Sequence, residues 1–287
     1  MLAFLALAGC YRPASEKACT VMCVDDSTCP PEQVCGGDHV CRGPTDNDCT
    51  AAQPLDAVVP DARDFTLVGY WPFEEGTGDA TADASGNQDP GTLAGSATWA
   101  TGRVGTFSVA LGGGSDAVTV MRSTVLADLG PLTVAAWIRP VNFNAVNGGA
   151  QRIVVKEPSY AAASDLGRWI FVLDSNIPGG LEFIKTFSMQ ALDVETQLTL
   201  TAGRWQHVAV TWDGTTAITG VKFYLDGQPV LIQNAVTGTG LAGTDAVYDV
   251  TIGNEPGATR AFTGDIDDVR IYNRVLSSTE IAALATQ

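Results

Sequence analysis

The chain has 287 residues, of which 45% are hydrophobic and only 17% are charged, and it contains 31 glycines and 14 prolines. This profile favours a turn-rich all-β globular protein with an additional small segment, and it excludes a disordered chain and a helical bundle. With 32 acidic and 16 basic residues the formal net charge is −16. Such a surface repels phosphate backbones, so we expect no nucleic-acid partner.

The first ten residues have the character of an export signal. Leu2 to Gly9 form an apolar run, which is too short to span a bilayer as a helix. The run ends in Leu7-Ala8-Gly9-Cys10, which resembles a bacterial lipobox, where cleavage before the cysteine is followed by its acylation. We therefore predict a signal peptide over residues 1–10 and a lipid anchor at Cys10. The protein would then lie on the outer surface of the bacterial cell envelope (the outer membrane) or be secreted. A chance cysteine after a hydrophobic start is the alternative.

Residues 11–49 form a cysteine-rich segment with many turn formers and almost no core residues. A segment of this size buries too little surface to fold without cross-links. In an exported chain an even cysteine count predicts disulfides, here in an unassigned pairing of Cys19, Cys23, Cys29, Cys35, Cys41 and Cys49. A zinc site that uses Cys19 and Cys23 is the alternative. Residues 50–63 contain proline and acids without periodicity, which predicts a linker.

From residue 64 to residue 287 the chain has the pattern of short strands separated by turn residues. A first strand is predicted over Phe65–Phe73, and a long polar loop follows from Gly76 to Gly91. The dipeptide Asp226-Gly227 is a two-residue hairpin signal. Roughly thirteen short strands, without a long helical pattern, predict an antiparallel sandwich of two sheets.

The last predicted strand runs from Phe262 to Arg274. Strict alternation places Val269 on the same face as Asp267 and on the opposite face from Ile266. The segment Ser277–Glu280 then has the pattern of a capping box, so we predict one short closing helix.

Five stretches carry a resemblance to a known family: Tyr70–Gly76, Asp83–Asn87, Leu132–Ile138, Trp205–Gly214 and Gly264–Arg274. Together they cover about residues 64–284, and their sequences and order resemble the LamG-like jelly-roll domains of the concanavalin A-like lectin/glucanase superfamily. The resemblance implies an all-β, two-sheet antiparallel jelly roll over residues 64–287.

The polar loop between Gly76 and Gly91 is a candidate calcium site. It carries carboxylate and amide oxygens at short spacing, and these are the hard ligands that calcium prefers. Turn residues that hold the backbone are the alternative reading of the same pattern. LamG-like domains often place a calcium ion near this loop with help from the closing strand. The resemblance therefore implies a structural calcium at Asp83, Asn87 and Asp267.

Catalysis is not predicted. A retaining glycosidase needs two carboxylates about 5–5.5 Å apart, and glucanases of the resembled superfamily place Glu, Asp and Glu along one strand. The run Asp265–Asp268 lacks both glutamates, and Asp193-Val194-Glu195 has no third partner. His207 lies in an alternating run without a Ser or Cys nucleophile pattern beside it, and we expect a half-buried strand residue.

The remaining functional signal is aromatic. Among the large aromatic residues, Trp137, Trp169 and Trp205 are predicted to lie in the core, whereas Trp99 and Tyr160 are candidates for exposed rings that stack on a ligand. We predict a non-catalytic cell-surface lipoprotein that binds glycans or extracellular proteins. A structural or adhesive envelope protein without a small ligand is the alternative, and a glycoside hydrolase of the same fold is a third possibility.

Overall fold

The computed structural model describes residues 34–35, 41–42, 64–144, 150–158, 166–197, 200–257 and 260–287, and the chain divides into two compact units, Met1–Ala62 and Arg63–Gln287. In the first unit, β1 (Val34–Cys35) and β2 (Cys41–Arg42) pair antiparallel. The signal peptide with Cys10, the disulfide side chains and the linker lie outside the described residues, so they stay predictions.

The second unit is built almost entirely from strands. In its described residues there are seventeen strands and one α-helix, which in chain order are β3 (Leu67–Trp71), β4 (Ala80–Thr81), β5 (Gly91–Ala94), β6 (Thr98–Thr101), β7 (Phe107–Gly112), β8 (Ala117–Val120), β9 (Leu132–Pro140), β10 (Arg152–Lys156), β11 (Trp169–Leu173), β12 (Leu181–Lys185), β13 (Leu192–Thr196), β14 (Gln206–Trp212), β15 (Val221–Leu225), β16 (Gln228–Val230), β17 (Ile232–Val236), β18 (Val250–Ile252), β19 (Thr263–Tyr272) and α1 (Ser278–Leu284). A 3-10 turn at Ile218–Gly220 precedes β15.

The strands form two antiparallel sheets. One has nine strands in the order β17-β13-β12-β11-β10-β18-β8-β5-β4, and the other has eight, in the order β16-β15-β14-β9-β19-β7-β6 with β3 also paired to β19. This confirms the predicted two-sheet antiparallel sandwich. The sequence yielded fewer strands, because every residue of β6 and β17 is at least partly exposed and gives no buried-face signal.

The main core lies between the two sheets and follows the period of two along each strand. On β13, for example, Leu192 and Val194 are buried in the core, whereas Asp193 and Glu195 point to the outer face. Phe171 of the nine-stranded sheet meets Phe223 of the eight-stranded sheet with ring centroids 6.4 Å apart. All seven cysteines precede this unit, so burial rather than disulfide cross-links stabilises it.

Helix α1 covers part of the outer face of the eight-stranded sheet. Ser277 and Glu280 form the predicted capping box, in which each side chain bonds to the other residue's backbone N–H. The helix buries Ile281 and Leu284 in a second apolar cluster with Ala135, Ala209, Tyr224, Tyr272 and Leu276. It has seven residues, and no helix in the described part of the chain is long and apolar enough to cross a bilayer.

Strand β19 lies in the middle of the eight-stranded sheet, and it is irregular. One extra residue is inserted between Asp267, which pairs with Trp137, and Arg270, which pairs with Ala135. Asp268 has a φ of 51°, and this β-bulge shifts the side-chain parity by one. The predicted faces are therefore wrong beyond Asp267: Val269 lies in the core with Ile266, rather than on the opposite face.

We expect the Ile281→Ala substitution to lower the free energy of unfolding by about 2–4 kcal/mol, because it leaves a cavity between α1 and the sheet. Ile281 is completely buried. Thr279→Ala, on the exposed side of the same helix, is the control and should change stability by less than about 0.5 kcal/mol. Urea unfolding monitored by tryptophan fluorescence measures both. Equal losses in the two variants would show that the helix does not stabilise the sheet.

Candidate functional site

The two outer faces of the sandwich differ in character. The outer face of the eight-stranded sheet carries α1, whereas the outer face of the nine-stranded sheet carries a group of acids. Glu182 of β12 and Asp193 and Glu195 of β13 form this group, which we call the carboxylate cluster. One carboxylate oxygen from each residue lies within 4.8 Å of the other two.

Strand register brings the carboxylate cluster together. Leu181 and Phe183 point into the core, so Glu182 between them points outward. Glu182 lies directly opposite Glu195 in the antiparallel ladder, and Asp193 is two residues before Glu195 on the same face. Asp193 and Glu195 have no third acid along their own strand, as predicted, but the neighbouring strand supplies one that a search along single strands does not find.

The carboxylate cluster is electrostatically strained. Burial, followed by the negative charges of Asp193, Asp174 and Glu195, raises the pKa of Glu182 to about 8. Burial and the Glu195 charge also raise the pKa of Asp193. Asn234 donates a hydrogen bond from Nδ2 to Glu195 Oε2 at 2.7 Å. An arrangement of this kind can hold a cation or share a proton between carboxylates.

A groove lies near the edges of both sheets. It has a volume of about 390 Å³ and is lined by Gln197, Leu225, Gln228, Pro229, Val230 and Leu231. The predicted hairpin turn at Asp226-Gly227 connects two residues that line the groove, Leu225 and Gln228, which pair across the turn. Both turn residues have positive φ, 46° and 77°, as a type I′ turn requires. The groove thus combines apolar side chains with two side-chain amides.

Asp83 and Asn87 lie together in the predicted calcium loop. Asp83 Oδ1 accepts hydrogen bonds from the backbone N–H of Tyr70 at 3.0 Å and of Ser85 at 2.8 Å, and its Oδ2 accepts from Ser85 Oγ at 2.8 Å. Asn87 Nδ2 donates to the same Ser85 Oγ at 3.1 Å and to Val68 O at 3.2 Å. These bonds hold the loop against β3. Asp83 and Asn87 thus hold the backbone of a turn, as the alternative to a calcium site predicts.

Asp267, the third predicted calcium ligand, holds a different segment. Its Oδ2 accepts hydrogen bonds from the backbone N–H of Arg103 at 2.7 Å and of Val104 at 2.9 Å. Its Oδ1 is buried without a hydrogen-bond partner, and burial raises the pKa of Asp267 to about 6. Among the described residues, no hydrogen bond joins Asp267 to Asp83 or Asn87. Calcium binding at these three residues stays a prediction.

His207 is buried beside Trp137 on the outer face of the eight-stranded sheet. It is 1% exposed, which is deeper than the predicted half-buried position. The two rings meet edge to face with centroids 5.5 Å apart, and His207 Nδ1 has no hydrogen-bond partner. Burial, with a smaller contribution from Arg270, lowers the pKa of His207 to about 3.

The aromatic predictions are met in part. Trp137 and Trp169 are buried as predicted, but Trp205 is only half-buried, with the Arg139 guanidinium 5.0 Å from its ring centroid. Trp99 is also half-buried, and its Nε1 donates to Gly78 O at 2.8 Å. Tyr160 lies outside the described residues. Trp99 therefore does not match the exposed stacking ring that the sequence suggested, whereas Phe65, which the sequence did not single out, is 85% exposed.

Comparison with protein families gives one match, over residues 112–282, to a family described as the concanavalin A-like lectin/glucanases superfamily. A search of curated protein sequences gives no match.

Several solved structures have a similar fold over more than three quarters of this chain. The binding domain of Paraclostridial Mosquitocidal Protein 1 matches 78% of this chain with a TM-score of 0.57 and 16% identity. The botulinum neurotoxin serotype D ligand binding domain in complex with N-acetylneuraminic acid matches 77%, with a TM-score of 0.54 and 16% identity. This chain spans about half of these two structures, 52% and 51%.

A third solved structure is matched over nearly its whole length. This structure is Domain 4 of AbnA, an extracellular arabinanase from Geobacillus stearothermophilus, in complex with arabinotriose. The match includes 77% of this chain and 98% of that domain, with a TM-score of 0.50 and 19% identity. At these identities the likeness establishes the fold alone.

The buried position of His207 predicts a specific pH dependence. The pKa of His207 is about 3 in the folded chain and about 6.5 in the unfolded chain. Between pH 6.5 and pH 3 the imidazole is therefore protonated only in the unfolded state. The contribution of the neutral ring to the free energy of unfolding is therefore complete above about pH 6.5 and is lost as the pH falls toward 3. From pH 7.5 to 4.5 the loss is about 3 kcal/mol.

His207→Gln lacks this titration, so the wild type should lose about 3 kcal/mol more than the variant between those two pH values. Urea unfolding of both proteins at pH 7.5 and 4.5 measures the difference. A stability difference that is the same at both pH values would contradict a buried neutral histidine.

Proposed function

Because the chain belongs to the concanavalin A-like lectin/glucanases superfamily, we propose that its sandwich is a non-catalytic module that binds glycans. The observation that carries the proposal is the arabinotriose-bound domain, which this fold covers almost completely. The complex of the neurotoxin domain with N-acetylneuraminic acid is a second sugar complex on the same fold. Fold likeness does not identify the sugar, so both ligand types belong in the test.

The groove lined by Gln197 and Gln228 is the proposed sugar site. Its volume of about 390 Å³ falls in the usual range for small-ligand pockets. The Gln197 and Gln228 amides each offer donors and an acceptor for sugar hydroxyls. Leu225, Val230 and Leu231 provide apolar surface for the carbon-bound faces of a sugar ring. Helix α1 covers part of the outer face of the eight-stranded sheet, which favours the edges of the sandwich, where the groove lies, for binding.

We expect the full chain to bind at least one member of a panel that includes arabinotriose and sialyllactose, measured by isothermal titration calorimetry. Gln197→Ala and Gln228→Ala should each weaken that binding roughly tenfold, because each removes hydrogen bonds to hydroxyls in a partly desolvated groove. Thr92→Ala changes an exposed residue on β5, near the far edge of the nine-stranded sheet, and should leave binding unchanged. Absence of binding across a broad glycan array would overturn the proposal.

Two other functions remain as outcomes of the same experiments. Binding to extracellular proteins without sugar binding would favour an adhesive or structural envelope protein. The carboxylate cluster supplies a specific observation for a glycoside hydrolase, since two glutamates face each other on adjacent strands. Release of reducing sugar from the panel, lost in Glu182→Gln, would establish hydrolysis.

We also propose that the protein is an envelope lipoprotein with a cross-linked module over residues 11–49. The motif that ends in Cys10 and the six later cysteines support this proposal. When the full chain is expressed in a bacterial host with labelled palmitate, Cys10→Ser should abolish incorporation of the label, because that thiol carries the diacyl group. Cys19→Ser is the matched control and should keep the label. Unlabelled wild-type protein would refute the anchor.

A further inference from the structure

One long uncharged run interrupts the acidic character of the chain. From Gly227 to Thr244 the sequence contains no Asp, Glu, Lys, Arg or His, and no other uncharged run of the chain is as long. The chain as a whole carries a formal net charge of −16. We call residues 227–244 the neutral run. It includes β16 and β17, which lie at the edges of the eight-stranded and the nine-stranded sheet.

Strand β17 leaves one side of its backbone unpaired. In the described part of the chain it pairs with β13 alone. Thr239 exchanges two backbone hydrogen bonds with Gln190, at 2.9 and 3.1 Å, and the same register continues to the pairing of Val236 with Asp193. Because such bonds alternate along antiparallel strands, the backbone N–H and C=O groups of Asn234 and Val236 point away from the sheet.

The unpaired side of β17 ends at Gly238. The Gly238 N–H also points away from the sheet, and it donates to Thr216 O at 2.9 Å. The free part is therefore Ile232–Val236, which we call the open edge, and all five of its residues are exposed. A bulge between Ile232 and Asn234 bends the strand. The open edge contains no charged residue and no proline, which are the usual means of protecting an edge strand from pairing.

Large apolar side chains are exposed along the same edge. Of the twelve that the described chain exposes, five lie in or beside the neutral run: Leu231, Ile232, Val236, Leu241 and Met189. Met189 adjoins the run because its N–H donates to Thr239 O at 3.2 Å. Leu241 and Met189 are 80% and 81% exposed. Apolar surface that is concentrated in this way is typical of a protein interaction site.

The distribution of charge indicates which partner fits. Two copies of an acidic chain repel each other over most of their surface, but the neutral run brings no charge to an interface. Asp193 and Glu195 lie one strand further in, on β13. If two copies paired edge to edge, the two β13 strands would be three strand spacings apart, about 14 Å. This separation exceeds the Debye length of about 8 Å at physiological salt, so these acids would repel each other only weakly.

We propose that the open edge pairs antiparallel with the open edge of a second copy, so that two nine-stranded sheets join across a two-fold axis. A pairing centred on Asn234 places each amide side chain beside its counterpart, and every side chain of the two open edges is uncharged. The contact uses the same surface on both copies, so it closes at two chains. It does not depend on sugar binding.

The test is sedimentation equilibrium of the full chain over a range of concentrations, with and without reductant. We expect the mean mass to rise from one chain to two as the concentration rises, in both conditions. Backbone hydrogen exchange at Asn234 and Val236 should slow over the same concentration range, because their N–H groups become bonded to the second copy.

Variants at Val236 examine the edge directly. Val236→Lys should weaken dimerisation by about tenfold or more, because the symmetric contact gains two positive charges at once. Val236→Pro removes an N–H that points away from the sheet and should also weaken it, whereas Val236→Thr keeps the edge neutral and should not. Ala80→Lys is the matched control, since it adds the same charge to β4 at the other edge of the same sheet, and it should leave the dimer unchanged.

Four results would overturn the proposal. They are a monomer at millimolar chain concentration, a dimer that forms only without reductant, undiminished dimerisation in Val236→Lys, and loss of the dimer in Ala80→Lys to the same extent as in Val236→Lys. If Val236→Pro fails to fold, Val236→Lys carries the comparison. A monomeric chain that binds a different protein through the open edge would assign this surface to another partner and would equally overturn the pairing of two copies.

Discussion

The antiparallel pairing of β19 with three other strands is the interaction on which the eight-stranded sheet depends. Along one side β19 pairs with β9, and along the other it pairs first with β7 and then with β3. The bulge after Asp267 lies where the partner changes from β7 to β3. At the bulge Asp268 Oδ1 accepts hydrogen bonds from Tyr70 Oη at 2.8 Å and from Arg270 at 3.0 Å, so the irregularity is held by charge-assisted bonds.

The two outer faces of the sandwich use acids in opposite ways. On the eight-stranded sheet Asp267 and Asp268 accept hydrogen bonds from backbone N–H groups and a tyrosine hydroxyl, and these bonds stabilise the sheet. On the nine-stranded sheet the carboxylate cluster lies together on the outer face, where Asn234 Nδ2 donates to Glu195 Oε2. The first arrangement stabilises structure, whereas in the second burial and mutual repulsion raise the pKa of Glu182 and Asp193.

Sequence pattern predicted much of the fold but little of the site. The two-sheet sandwich, the Asp226-Gly227 hairpin and the capped closing helix depend on local spacing, which one chain displays directly. The faces beyond Asp267 were assigned wrongly because a bulge inserts a residue without any apolar signal. Short exposed strands such as β17 likewise leave no pattern, since the edge of a sheet imposes no burial.

The carboxylate cluster was missed for a different physical reason. Its members come from two strands, and their proximity is set by register rather than by spacing along one strand. The signal that could have found it is the outward position of Glu182 between Leu181 and Phe183, combined with a hairpin that brings this strand against Asp193 and Glu195. His207 was placed correctly on a strand, but its depth depends on Trp137 from another strand, and the sequence does not show that contact.

The position of β19 in the sheet has a consequence for folding order. Without β19 the eight-stranded sheet separates into three pieces: the run from β16 through β15 and β14 to β9, the pair β7-β6, and β3 alone. Yet β19 follows every other described strand along the chain, and its register partner at Val269 is Trp71, far upstream. Such distant pairings form slowly, and a ribosome supplies the joining segment after the pieces that it joins. The apolar faces of those pieces remain uncovered until synthesis reaches β19, which makes this interval the one in which the nascent chain most needs protection from aggregation.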